Sequence, residues 1–224
     1  RDVLGSRGLG DVYKRQDVDC PFDDLLCQSL SLFHQFRLYD DRMEEDNAFK
    51  LLREAEKVVT DNKDGVCVAK LGCVIECLAH RFYINDNTDG ILEEVDTFLI
   101  KFWKGIKQPS SEAFIASLWV GEYFLLRLKN PESRFRSRSK KMVSKILSFL
   151  ADMIRKPEKQ KALTLSSVVV LEETVDWIKE ISDMHICEKQ IVVLLERLYH
   201  LQEIGMLQQG DCLLYTSPSP RDPK

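Results

Sequence analysis

Three side chains of metal-binding and nucleophilic type share one helical face: Cys73, Cys77 and His80, at i, i+4 and i+7. Two thiolates one turn apart can chelate a single ion. All three together span about 10 Å of axis at about 1.5 Å per residue. That is long for one zinc ion with bonds of about 2.0–2.3 Å unless the histidine bends back. The plainer reading is a pair of apolar thiols followed by a helix-end histidine. Two carboxylates, Glu76 and Glu122, interrupt apolar stretches. Each is either buried against a Lys or Arg from a neighbouring helix or lines a central cavity, where paired acids would suit a hydrolase. His34, His185 and His200 have no Cys, Ser or carboxylate at triad-like spacing, and the chain has no Gly-rich phosphate loop or nucleophile elbow.

Helices must position these groups. Apolar residues recur at helical spacing in eight stretches. The pattern predicts helices over about 22–39, 43–60, 66–85, 91–104, 112–129, 135–154, from near 165, and 187–204. Pro21 suits a first turn, where its missing N–H costs nothing. Asp61–Gly65 and Asp86–Gly90 read as turns, and Ser110 or Ser111 as an N-cap. The run Val168 to Val170 favours a strand locally, but its continuation through Ile178 is helical, and the whole stretch is read as helix. Odd-numbered helices are broadly apolar and even-numbered ones amphipathic, at a period of roughly 45 residues. The fold class expected is all-α: helical-hairpin repeats forming part of an α/α toroid, or an α-solenoid, with odd helices inside and even helices outside.

The ends read differently. Ser6 to Gln16 is what one frame of a transposase sequencing adapter encodes, and Cys212 to Asp222 is a frame of its reverse complement. Residues 1–16 and 212–224 are therefore expected to be non-native tails, and 17–211 the native domain, an internal piece of a longer reading frame. The chain carries a formal charge of −4. The tails hold six basic and three acidic residues, so the part between them stands at −7. That excess argues against nucleic acid or an anionic membrane as the main partner. The basic run Arg134 to Lys141 reads as a solvated face rather than a phosphate site. Of seven cysteines, six lie outside the tails: Cys20, Cys27, Cys67, Cys73, Cys77 and Cys187. They sit on apolar helical faces, as reduced thiols of a cytoplasmic protein would. No apolar run reaches the roughly 20 residues that span a bilayer.

Ile75-Glu76-Cys77-Leu78, followed by Thr88-Asp89-Gly90-Ile91-Leu92-Glu93-Glu94-Val95-Asp96, resembles a hairpin of bacterial lanthionine synthetase cyclase-like proteins. Val120-Gly121 with Tyr123 to Leu128 is similar to the start of that family's next repeat, and Ser29 to Phe33 to a first copy. The resemblance covers about 22–128. It implies two concentric rings of helices, with glycines letting inner helices approach closely. Here Gly72 and Gly121 keep that pattern, while Lys70, Val74 and Trp119 stand where glycines would be. Catalytic members hold zinc through two cysteines and a histidine, in a Trp-Cys-x-Gly and a Cys-His-Gly segment, and use it to activate a peptide thiol for thioether formation. Neither segment occurs in 17–211. The resemblance thus implies a piece concerned with peptide modification or peptide binding, with no cofactor of its own and zinc left to the full-length protein. The alternative is a non-catalytic helical-repeat scaffold for a peptide or protein partner, with oligomeric state left open.

Overall fold

The structure is a computed structural model that describes residues 21–81, 83, 87–106, 110–154 and 167–203. Both tails, Cys20, the 155–160 connection and the side chain of His200 lie outside those residues. The described residues form eight α-helices and no strand: α1 (Pro21–Tyr39), α2 (Arg42–Asn62), α3 (Gly65–His80), α4 (Thr88–Gly105), α5 (Ser111–Lys129), α6 (Arg136–Ile154), α7 (Ser167–Asp183) and α8 (Glu188–Glu203). The valine run is helical, inside α7. Two compact units divide between Ile146 and Leu147.

Capping chemistry sets the boundaries. The side chains of Asp41, Asp64, Asn87 and Ser110 accept the orphan first-turn amides of α2, α3, α4 and α5. The Asn87 cap corrects one expectation. Because its Oδ1 accepts from the Asp89 amide at 2.9 Å, Thr88, Asp89 and Gly90 form the first turn of α4 rather than the turn before it. A second correction is the end of α3. It stops at His80, not near Asn85, where the Arg81 and Tyr83 amides turn back onto the Cys77 and Leu78 carbonyls. Helix α2 closes on Lys63 in the left-handed region, φ 50°, a conformation that favours glycine.

In the first unit, α1 and α2 form an antiparallel hairpin. Phe22, Leu26, Ser29 and Phe33, spaced four, three and four, are the buried stripe of α1 and meet Ala48, Leu52 and Ala55 of α2. The Phe33 and Phe49 rings meet edge-on at 4.9 Å, and the Ser29 hydroxyl donates to the Ala48 carbonyl at 3.0 Å. Helix α3 packs against α1, α2, α4 and α5, so nearly every side chain on it is buried or half-buried. The odd helices α1, α3 and α5 pack in succession, with α2 on α1 and α4 on α3 and α5. This packing is consistent with the helical hairpins expected from the sequence. The core of the second unit is built from Leu147, Leu150, Trp177, Ile181, Ile191 and Leu194, with α7 packed on α8.

A buried arginine network as the candidate functional site

Arg127 lies in the last turns of α5, amid Phe124, Leu125 and Leu128, and is wholly inaccessible to solvent. A guanidinium so placed must find acceptors for its N–H groups, since burying one unpaired costs several kcal/mol. The fold supplies them from two neighbouring helices. Nη1 donates to Glu76 Oε1 of α3 at 2.5 Å and to Thr88 Oγ1 of α4 at 3.2 Å. Nη2 donates to Asp89 Oδ1 at 2.8 Å and Asp96 Oδ2 at 3.0 Å, and Nε reaches Asp96 Oδ1 at 3.4 Å. Asp96 thus takes the guanidinium fork with both oxygens, the strong geometry for such pairs.

A ring of polar groups serves the carboxylates in turn. The Tyr123 hydroxyl donates to Asp96 Oδ1 at 2.8 Å. The Thr88 hydroxyl lies 3.0 Å from Glu76 Oε1, and Asn130 Nδ2 lies 3.1 Å from Thr88 Oγ1 and 3.3 Å from Glu76 Oε2. Asp89 reaches the α5–α6 turn, accepting from the Ser133 hydroxyl at 2.8 Å and the Arg134 amide at 2.7 Å. The Arg134 guanidinium, mostly in solvent, touches Asp89 Oδ2 at 3.3 Å. Burial pushes the Asp89 carboxyl up, but the Arg134 amide, the Ser133 hydroxyl and Arg127 outweigh it and hold the group below the usual carboxylate range. Burial also works against the charge on Arg127, and its bonds to Asp96 and Glu76 overcome it, so the guanidinium stays charged. Burial, then the Asp96 charge, drive the Tyr123 hydroxyl well above its ordinary value, so the phenol remains a neutral donor.

Of the two readings of Glu76, the structure shows the ion pair: the acid is fully buried and its partner is Arg127. Glu122 is half-buried on α5, and its charge bears on Cys73 and Cys77. Asp96 is buried, while its near neighbours Glu93 and Glu94 are exposed. The signals for the network were Arg127 inside an apolar helix and the spacing Leu92, Asp96, Leu99. That spacing puts the acid on the buried stripe of α4.

Among the described residues no three His, Cys, Asp or Glu side chains are grouped to hold a metal. Burial, then the Glu122 charge, push the Cys77 thiol up to about 12, and Cys73, fully buried, is raised well above its ordinary value by the same two effects. Both thiols stay protonated, the poor state for nucleophilic attack. His80 Nε2 lies 3.8 Å from Glu76 Oε2, so the histidine faces the arginine network.

A second buried pair joins α1, α3 and α5. Lys70 Nζ of α3 bonds both Asp23 oxygens of α1, at 2.9 and 2.7 Å. It also stands 4.9 Å from the centre of the Trp119 ring of α5, a cation–π contact. Lys70 and Trp119, both buried, thus bind each other between α3 and α5. Gly72 keeps the close contact: a Cβ there would meet the Tyr123 ring at 2.5 Å.

Fold and site together define an all-α hairpin protein whose first unit is held by a buried arginine–carboxylate network. Comparison with protein-family models, curated proteins and solved structures finds no match for this chain.

Proposed function

We propose that the chain is a helical-hairpin repeat frame that holds a peptide or protein segment, as a piece of an α/α toroid of the lanthionine synthetase cyclase-like kind. One observation carries this reading. The residues on which the resemblance rests, Glu76, Thr88, Asp89, Asp96, Tyr123 and Arg127, converge in one buried network that ties α3, α4 and α5 together. Their work is to hold helix register, which leaves recognition to surface side chains. The thioether chemistry of catalytic relatives would need zinc ligands beyond 17–211, because Cys73, Cys77 and His80 do not form such a set. Binding without chemistry is therefore the reading favoured for this piece. The five described cysteines are free thiols, which supports a reducing compartment such as the cytoplasm. No described helix is long and apolar enough to cross a membrane.

Selection of a displayed random peptide library on the immobilised full chain tests the proposal. The expected result is enrichment of related peptides that bind one-to-one in calorimetry, tighter than about 1 mM. Failure to enrich any peptide would count against a recognition role. Stoichiometric zinc in the purified chain would instead move the reading back to the catalytic kind.

A further inference from the structure

Seven large hydrophobic side chains are strongly exposed among the described residues, and six of them fall in two places. Leu38, Tyr39 and Met43, 61%, 76% and 64% exposed, crown the α1–α2 hairpin. Val192, Val193 and Leu195, 52%, 39% and 43% exposed, are on α8, where Val193 faces the same side as Lys189 and Arg197. Single exposed apolar residues are ordinary; three at one hairpin tip are not.

The two places are complementary. The hairpin tip is convex and held in shape. Asp40 is left-handed, φ 54°, with its amide donating to the Phe36 carbonyl at 2.7 Å, and Asp41 caps α2 through the Met43 amide at 2.9 Å. Asp40, Asp41, Glu44 and Glu45 surround it against Arg37 and Arg42, so the tip is acidic. A groove of about 260 Å³ between α6 and α8 is lined by Val193 together with Ala151, Ser148 and Gln190. Its charged walls are Lys189, Arg197 and Asp152, two cations to one acid. Asp152 accepts from Arg197 at 3.2 Å. Glu188 and Glu196, also on α8, are not part of the lining.

We propose that the hairpin tip of one copy seats in the α6–α8 groove of a second copy. An apolar knob with an acidic rim meets a groove that offers Ala151 and Val193 as its apolar contact and net positive charge around them. The pre-ordered tip also lowers the entropy lost on docking. The two surfaces differ, so the contact is heterologous, and each added copy presents a fresh tip or groove. This inference is independent of peptide recognition.

Sedimentation velocity of the full chain over a dilution series tests it, with a tip variant (Leu38→Ser with Tyr39→Ser) and a groove variant (Val193→Glu). The wild type should associate with rising concentration, and less so as salt is raised from roughly 0.05 to 0.5 M. Each variant alone should sediment as a monomer. Their equimolar mixture should give a one-to-one heterodimer and nothing larger, because only one intact tip and one intact groove remain to pair. Met43→Ser and Lys189→Glu ask the same question should either first choice lose its helical circular dichroism. A wild type that stays monomeric to about 0.2 mM, an order of magnitude looser than common weak complexes, would overturn the proposal. So would variants that associate like the wild type, or a mixture that does not pair.

Discussion

Arg127→Met removes the guanidinium and leaves Glu76, Asp89 and Asp96 buried around an apolar side chain. The expected loss is about 3–5 kcal/mol, the usual consequence of stranding a buried charge, read as a lower urea midpoint. Arg127→Lys should recover only part of it, because a point charge cannot take Asp96 with two donors. Asp89 gives the network a pH signature. Its folded carboxyl sits below its ordinary value, so its contribution is complete above the unfolded carboxylate range and drains away as pH falls through the lower folded value. Asp89→Asn should therefore flatten the acid limb of a stability–pH profile and lower stability near neutrality. The Cys77 thiol, at about 12, should resist iodoacetamide at pH 7.5 in the folded chain and react once urea unfolds it. Mass spectrometry of the alkylated peptide distinguishes the two, and rapid labelling of folded chain would contradict the buried environment described for it.

At the scale of the element, glycine contacts give a ranked prediction. A methyl at Gly72 would strike the ring of Tyr123, whose hydroxyl is tied to Asp96; the ring cannot yield without breaking that bond. A methyl at Gly65 would overlap the Phe102 ring, but Phe102 is only half-buried and can swing. Gly72→Ala should cost about 1–3 kcal/mol and Gly65→Ala distinctly less, by thermal denaturation. Lys63→Gly should raise stability by up to about 1 kcal/mol by relieving the left-handed conformation at the end of α2. Sequence pattern located all eight helices, because each carries an apolar stripe at helical spacing between polar turns. It misplaced two ends for a local reason. Asn87 competes as a cap with the turn signal of Asp89-Gly90, and Arg81 ends α3 although the residues after it keep no clear stop signal. The network was half-legible. The pairing of Glu76 with a neighbouring cation follows from the cost of a buried charge, but which cation does not. Arg127 lies 51 positions away, and only the α3–α5 packing brings it near.

Over the whole molecule, the net acidity read from composition hides a local exception in the groove walls of α6 and α8, which periodicity could not reveal. The described cysteines are all free, so the melting temperature should be the same with and without reductant; a drop on adding reductant would mean a disulfide forms. The arginine network also has a consequence for synthesis. The α1–α2 hairpin closes on neighbours near in sequence and can form as soon as it leaves the ribosome. Glu76, Asp89 and Asp96 emerge earlier than Arg127, the buried cation that all three share. Helices α3 and α4 must therefore wait, with their acids still hydrated, until translation passes residue 127. Stalled nascent chains ending short of that point should be cut readily by protease within α3 and α4.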